Sequence, residues 1–426
     1  MACYPILRMD AVILSIGNEL TTGQAVDTNA AWLSAALTRF GISVVQHVTV
    51  DDDLDRICAA IRQALGGSDI VIITGGLGPT PDDLTRQAFA DAVGEPLEQN
   101  AEALEHIRTM FARWQRPMSE SNKVQALIPR GCEVIPNERG TAPGIRYRRG
   151  DVQLFALPGV PAEMQAMFNA TIASALEAQT GGARTHQARL LCYGISEAKV
   201  GEVIGDLMKR DRNPLVGTTA LGGVISVRVV ARGNDENDAK RLVAADLSEI
   251  RRRLGTVVFG EGDDSLEAVV ARLLTQQGQT IATAESCTGG LLAKRLTDVP
   301  GSSAYFLRGY VTYSNEAKTE LVNVASELIA VEGAVSEPVA RAMASGCRTA
   351  AGSDFALSIT GIAGPTGGSP PDKPVGLVYI GLADSDGVEV KRFLFGEHLA
   401  RDEIRDRSCK MALNLLRIRI TRTDTP

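Results

Sequence analysis

The apolar runs in the first part of the chain are short and β-rich, and each is followed by a stretch with apolar residues at helical spacing. Ala11 to Ile16 predicts a strand, and Asn29 to Phe40, with Leu33, Leu37 and Phe40 on one face, predicts a helix stopping at Gly41. Ile42 to Thr49 predicts a second strand, Leu54 to Leu65 a helix, and Asp69 to Thr74 a fully apolar third strand. A βαβαβ order of this kind folds as a parallel α/β sheet.

A helical run over Ala162 to Glu177 is followed by the small, polar stretch Gln179 to Arg184, which predicts a linker. Beyond it the pattern gives a strand over Ala188 to Tyr193 and a helix over Ser196 to Lys209. A strand over Gly223 to Arg232 and a helix over Asn237 to Leu254 follow. Gly260 to Ser265 marks a second boundary, with Ser265 placed to cap a helix over Leu266 to Gln276. Further strands are expected over Thr280 to Ala284, Phe355 to Ile359 and Leu377 to Leu382, and Leu291, Leu292 and Leu296 mark a helix. The reading is therefore of three domains, at about 1–180, 186–256 and 262–426.

A length of 426 residues agrees with two or three domains, and 44% hydrophobic with 22% charged residues fits a globular protein. No apolar run reaches the ~18 residues of a membrane span, and Met1 to Asp10 lacks the basic start and apolar centre of a secretory signal. A net charge of -7 leaves no general footprint for nucleic acid. Lys209, Arg210 and the run Arg251 to Arg253 are explained by helix ends as well as by phosphate contacts. Seven cysteines, from Cys3 to Cys409, occur without a CxxC pair, and four histidines are scattered. Reduced thiols, a cytoplasmic location and no zinc site are the expectation.

The loop Gly75-Gly76-Leu77-Gly78-Pro79-Thr80-Pro81-Asp82-Asp83 follows the third strand, where an open α/β sheet binds its ligand. Gly75, Gly76 and Gly78 allow a phosphate close to the backbone. Asp82 and Asp83 would repel it unless a hard cation such as Mg²⁺ lay between. The same residues also suit a tight loop in which Asp82 caps a helix running to Val93. Two other acidic loops end strands of that sheet, Gly17-Asn18-Glu19-Leu20 with Asp27-Thr28-Asn29, and Val50-Asp51-Asp52; singly, each also reads as a turn or a cap.

Together with Gly140-Thr141-Ala142-Pro143-Gly144 and Leu157-Pro158-Gly159-Val160-Pro161-Ala162-Glu163-Met164, these motifs resemble the molybdopterin-binding-type domain of the CinA family over about residues 10–175. The loop Asn137-Glu138-Arg139-Gly140 departs from that family's Asn-Pro-x-Gly. The resemblance implies a Rossmann-like domain that splits ADP-ribose into AMP and ribose 5-phosphate with a divalent cation, Mg²⁺, Mn²⁺ or Co²⁺. It assigns Asp83 to the metal or phosphate site, with Asp82, Asp52 and Glu19 as further acidic positions. Gly75, Gly76, Gly78 and Thr80 are assigned to the phosphates. For the following residues it implies a small KH-type α/β connecting domain.

In the last part of the chain, Thr283-Ala284-Glu285-Ser286-Cys287-Thr288-Gly289-Gly290 places two nucleophile types between a predicted strand and helix. Backbone N–H groups at such a helix start suit an oxyanion or a phosphate. No histidine lies in a neighbouring motif to serve as base. Ser314 is placed to cap a helix with Lys318 in its first turn, where the dipole and burial would favour the neutral amine. Lys318 equally suits the surface of an amphipathic helix. Cys287 is the rival nucleophile, since a thiol at a helix start turns acidic, although it also reads as a small core residue. The loop Thr360-Gly361-Ile362-Ala363-Gly364-Pro365-Thr366-Gly367-Gly368 follows another strand, and its amides suit an anion.

With Gly301-Ser302-Ser303 and Gly333-Ala334-Val335-Ser336-Glu337-Pro338, these segments resemble the C-terminal α/β domain of CinA and its stand-alone relative PncC over about residues 265–420. That implies hydrolysis of nicotinamide mononucleotide (NMN) to nicotinate mononucleotide and ammonia without a metal. Ser286 is then nucleophile, Lys318 general base and Thr360 a further active-site position, with Gly289, Gly290, Gly361 and Gly364 around the nucleotide. A pyridine-nucleotide salvage hydrolase, active as a homodimer, is the expectation. A non-catalytic nucleotide-binding scaffold linked to competence or DNA damage, and a molybdopterin-adenylating enzyme, are the alternatives.

Overall fold

The computed structural model describes residues 9–180, 183–367 and 373–423, so Cys3, Gly181, Gly182 and Gly368 lie outside the described residues. Two compact units are formed, one from the chain up to His186 with Ala231–Leu242, the other from Gln187–Val230 and the chain from Val243 onward.

In the first unit, strands β1 (Asp10–Ile16), β2 (Ser43–Val50) and β3 (Ile70–Thr74) alternate with helices Thr28–Arg39 and Leu54–Gly67. A short pair, β4 (Leu97–Gln99) with β5 (Leu127–Pro129), flanks helix Ala101–Arg113. Strands β6 (Glu133–Ile135), β7 (Gly144–Arg149) and β8 (Val152–Leu157) complete a six-stranded sheet in the order β2-β1-β3-β8-β7-β6. The four strands from β2 to β8 run parallel, β7 pairs antiparallel with β8, and β6 pairs antiparallel with β7. Strands β1 and β3 are apolar on both faces because helices cover both. Ala11 and Ile13 enter one core with Leu33 and Leu37, while Val12 and Leu14 enter another with Ile57 and Ile61.

Of the acidic loop residues, Asp27 turns out to be a helix cap, accepting from Ala30 N at 2.8 Å, and Asp53, just after the Val50-Asp51-Asp52 loop, caps the next helix by accepting from Arg56 N at 3.0 Å. Asp82 caps nothing, because the helix after the glycine loop begins only at Thr85 and has Leu84 at its cap position. The expected helix Ala162 to Glu177 is real but interrupted, with a π-turn over Phe168–Ile172.

The second unit holds the sheet β10-β11-β9-β12, built from β9 (Arg184–Tyr193), β10 (Leu215–Leu221), β11 (Val224–Gly233) and β12 (Val258–Glu261). The helix expected to reach Lys209 ends at Ile204; the Arg212 guanidinium takes the Leu207 carbonyl at 2.7 Å and the Asp246 carboxylate, closing the chain into a turn. The arginine run is consumed in ion pairs, Arg251 with Glu261, Arg252 with Glu249, and Arg253 with Asp206 and Glu249. That run is therefore charge-neutralised and offers no free basic stripe.

A five-stranded sheet follows in the same unit: β13 (Ile281–Glu285), β14 (Phe306–Val311), β15 (Phe355–Gly361), β16 (Leu377–Asp384) and β17 (Gly387–Leu394), in the order β14-β13-β15-β16-β17. The first three are parallel, so their carboxyl ends converge on one edge. Its core takes in Leu191, Tyr193 and Phe259 of the preceding sheet beside Leu266, Val270, Ile404 and Leu413.

Candidate functional site

The chain presents two candidate sites, one in each unit. In the second unit, Ser286 immediately follows β13, and Lys318 lies on helix Asn315–Val322, which follows β14. Because β13 and β14 are parallel neighbours with Glu285 paired to Val311, their ends deliver the two side chains to one place. Ser314 caps the helix by accepting from Ala317 N at 3.1 Å, and Lys318 Nζ donates to Ser286 Oγ at 3.2 Å.

Lys318 is only 1% exposed. Its Nζ also faces the carbonyls of Thr312, Tyr313 and Ser314 at 2.9, 3.4 and 3.4 Å, and it makes no ion pair among the described residues. Burial pulls its pKa below the ordinary lysine value of 10.5, against an opposing pull from Cys287 and Glu316. A neutral amine has two N–H bonds for the carbonyls and keeps its lone pair for the Ser286 hydroxyl. Cys287 is placed for the opposite outcome: burial pushes its thiol up to about 12, which removes the thiolate needed for attack.

The helix start contributes differently from the sequence expectation. Helix Leu291–Thr297 does begin after the turn, but its first amides are taken: Glu285 accepts from Leu292 N at 2.9 Å and Ala293 N at 2.8 Å. An oxyanion therefore has no vacancy at those two amides. Among the described residues the N–H groups of Cys287 and Thr288, which follow Ser286 directly, donate to no backbone carbonyl. Glu285→Gln keeps one acceptor of this buried cap and loses the charge. We expect the thermal transition of the second unit to fall by the equivalent of about 1–2 kcal/mol, as read by calorimetry.

Thr360, at the end of β15, donates its hydroxyl to the Ala334 carbonyl at 2.7 Å and so ties that strand end to the Gly333 to Pro338 segment. Gly361 packs against β16, and Gly290 holds φ 91 at the head of the helix, a conformation that favours glycine. Gly289, also at positive φ, donates its N–H to Ser286 O at 3.1 Å, and Gly364 gives its carbonyl to Arg401 Nη1 at 2.6 Å. Arg401 reaches Tyr313 OH at 3.1 Å as well, and Arg405 donates to Thr288 O at 2.6 Å. Sequence reasoning missed both arginines, which lie on the last helix, Arg401–Thr423, with no local motif to mark them.

In the first unit, a cavity of about 500 Å³ opens at the carboxyl ends of β1, β3 and β8. Glu19, Asp52, Asp82 and Asp83 all line it, as do Gly75, Gly76 and Gly78. Asp83 is held inward: it accepts from Gly78 N at 2.8 Å, Thr80 N at 2.9 Å and Thr80 Oγ1 at 2.5 Å. Thr80 is thereby a partner of Asp83. Gly75, at φ 104, lies so close to the Ile16 carbonyl that a Cβ has no room. Beneath the loop, buried Arg86 donates to the Leu77 and Gly78 carbonyls, and desolvation lowers its pKa to about 10.

Burial raises the Asp52 pKa, and the charges of Glu19, Asp82 and Asp83 push it further against a bond from Asn18 N. Among the described residues no three His, Cys, Asp or Glu side chains form a ready-made metal cluster. The oxygen-only donor set and its mutual repulsion fit a cation shared with a substrate phosphate, as a Mg²⁺ held by one or two carboxylates would be. Asn137 was not foreseen as an organiser. It accepts from Arg139 N and Gly140 N at 3.1 and 3.0 Å and donates to Glu163 at 2.7 Å, shaping a loop that lacks the family's proline.

Residues 12–178 match the probable molybdopterin binding domain, 187–260 the damage-inducible protein CinA KH domain and 263–420 the CinA C-terminal domain. A CinA-like protein of Geobacter sulfurreducens is 46% identical over 414 residues, covering 97% of this chain and 99% of its own. A second, from Citrifermentans bemidjiense, is 44% identical over 426 residues, covering 98% and 99%. The crystal structure of CinA from Thermoplasma acidophilum is similar at 38% identity and TM-score 0.37, covering 39% of this chain and 98% of that one.

Proposed function

This chain belongs to the CinA family, and on that premise we propose that its C-terminal site is a serine–lysine amidase acting on NMN. The observation that carries the reading is the 3.2 Å contact between Ser286 Oγ and a buried lysine that has no carboxylate partner among the described residues. Ser286 Oγ attacks the carboxamide carbon while Lys318 Nζ takes its proton. The tetrahedral oxyanion leans on the Cys287 and Thr288 N–H groups. Lys318 returns the proton to the leaving nitrogen, ammonia departs, and an ester to Ser286 remains. Water attacks that ester with Lys318 again as base, releasing nicotinate mononucleotide. Arg401 and Arg405 beside the turn supply positive charge for a phosphorylated substrate.

Purified protein in excess chelator is expected to release ammonia from NMN. Blank turnover from a folded parent would remove the amidase reading. The rate should also climb with pH as the Lys318 ammonium loses its proton. Because the folded pKa is depressed, the midpoint of kcat/KM should lie below 10.5.

For the N-terminal cavity we infer a divalent-cation-dependent ADP-ribose pyrophosphatase, giving AMP and ribose 5-phosphate. What supports it is the convergence of the glycine loop with Glu19, Asp52, Asp82 and Asp83 around one opening. A bound cation would neutralise phosphate charge there. The protein's own part is to grip the phosphates with the loop amides and keep Asp83 turned inward on Thr80.

A further inference from the structure

The first unit's cavity has an aromatic wall that the phosphate chemistry does not use. Trp114 follows helix Ala101–Arg113, lines the cavity and remains 43% exposed. Its N–H bond to Met110 O at 3.0 Å and the left-handed turn at Gln115 (φ 56) fix where the chain leaves the helix. Phe111 meets the indole at 5.7 Å and 74°, close to edge-on, and so supports the ring while leaving a face open. A large aromatic left in the mouth of a polar cavity costs hydration unless something flat covers it.

Gln125 is the second observation. It lines the same cavity but is only 1% exposed, and its Oε1 accepts from buried Asn122 Nδ2 at 3.3 Å. Among the described residues its Nε2 donates to nothing. Nε2 is not one of the buried side-chain atoms left without a partner, so this end of the amide keeps access to the cavity the residue lines, where it can donate to a ligand acceptor.

We propose that Trp114 and Gln125 form a base-recognition subsite, in which the indole stacks on the heteroaromatic base of a nucleotide and Gln125 Nε2 donates to a ring acceptor on its edge. The phosphates then run toward Gly75 to Gly78 and the acidic side. The inference rests on reading this cavity as the ADP-ribose site, and it selects nucleoside diphosphates over sugar phosphates that lack a base.

The test uses AMP, ribose 5-phosphate and inorganic pyrophosphate as separate probes of the full chain's tryptophan emission. AMP is expected to quench it saturably and the two base-free probes not to, with the AMP response lost in Trp114→Phe; Trp32, partly buried edge-on to Phe168 and not a lining residue of the cavity, is not expected to respond. In ADP-ribose turnover, Trp114→Ala should raise KM about tenfold or more with kcat within about twofold, and Trp114→Phe should recover most of it. Gln125→Glu, which keeps the Oε1 acceptor for Asn122 and removes the Nε2 donor, should raise KM by about five- to tenfold. Absence of AMP quenching in the parent, or an unchanged KM in Trp114→Ala, overturns the subsite. Quenching by AMP in a protein that does not hydrolyse ADP-ribose would uphold the subsite and overturn the reaction assigned to the cavity.

Discussion

Ser286→Ala is expected to lower NMN deamidation by about 10⁴-fold or more, and Lys318→Met by about 10³-fold or more, with the double variant scarcely worse than the first. The non-additivity follows from the 3.2 Å contact between the two side chains, because each is useless to the reaction without the other. Ammonia release by the two single variants and the double variant, compared with the parent, checks it. Cys287→Ala should keep the rate within about tenfold, since a thiol pushed up to about 12 carries almost no thiolate at neutral pH. A rate that survived Ser286→Ala and collapsed in Cys287→Ala would exchange the roles of the two neighbours. Ser286→Ala removes one hydroxyl beside a partly open turn, so its melting temperature should stay close to that of the parent.

The second large effect separates two kinds of carboxylate in the first unit. Asp83 accepts three hydrogen bonds from its own loop, whereas Glu19 and Asp52 line the cavity and, among the described residues, the Asp52 carboxylate accepts only from Asn18 N. Asp83→Ala should therefore abolish ADP-ribose cleavage and also lower the thermal transition of this unit, by about 1–3 kcal/mol. Glu19→Gln and Asp52→Asn should cut cleavage by about 10²-fold or more while leaving that transition in place. Asp52→Asn should even favour the fold slightly, because it relieves a partly buried carboxylate pressed by the charges of Glu19, Asp82 and Asp83. Activity assays with Mg²⁺ and with chelator, alongside calorimetry, read the two consequences independently.

Much of this arrangement was legible in the sequence where the signal is local. A β-rich run ending at a Ser-containing turn, and a Ser-x-x-x-Lys helix start, suffice to nominate Ser286 and Lys318. The parallel strand order then brings them together. Asp27, Asp52, Asp82 and Asp83 look alike as letters, yet Asp27 is a cap while the other three line a cavity, and of those Asp83 is clamped by three hydrogen bonds from its own loop. Nothing within each short segment distinguishes those fates. The capped helix start was missed because Glu285 precedes the turn and folds back over it, a contact set by the tightness of Gly289-Gly290. Strands β7 and β17 were missed because both are charged hairpin arms toward a sheet edge, where solvent on one side removes the apolar run. Arg401 and Arg405 are legible only once the last helix is seen lying beside the nucleophile turn.

The core shared by Leu191, Tyr193, Phe259 and the helices beyond Leu266 bears on how this polypeptide can be divided. Sequence boundaries near residue 260 suggest interchangeable modules, but the apolar interior runs through that seam without a break. The Tyr193 hydroxyl even reaches the Arg407 carbonyl on the last helix, at 3.3 Å, and Lys410 reaches the Gly222 carbonyl at 2.8 Å. An excised C-terminal fragment would begin life with a greasy scar beside the helix that carries Arg401 and Arg405. Recombining this region with a foreign partner therefore calls for a polar graft over that scar, or for keeping the connector attached as part of the domain's scaffold.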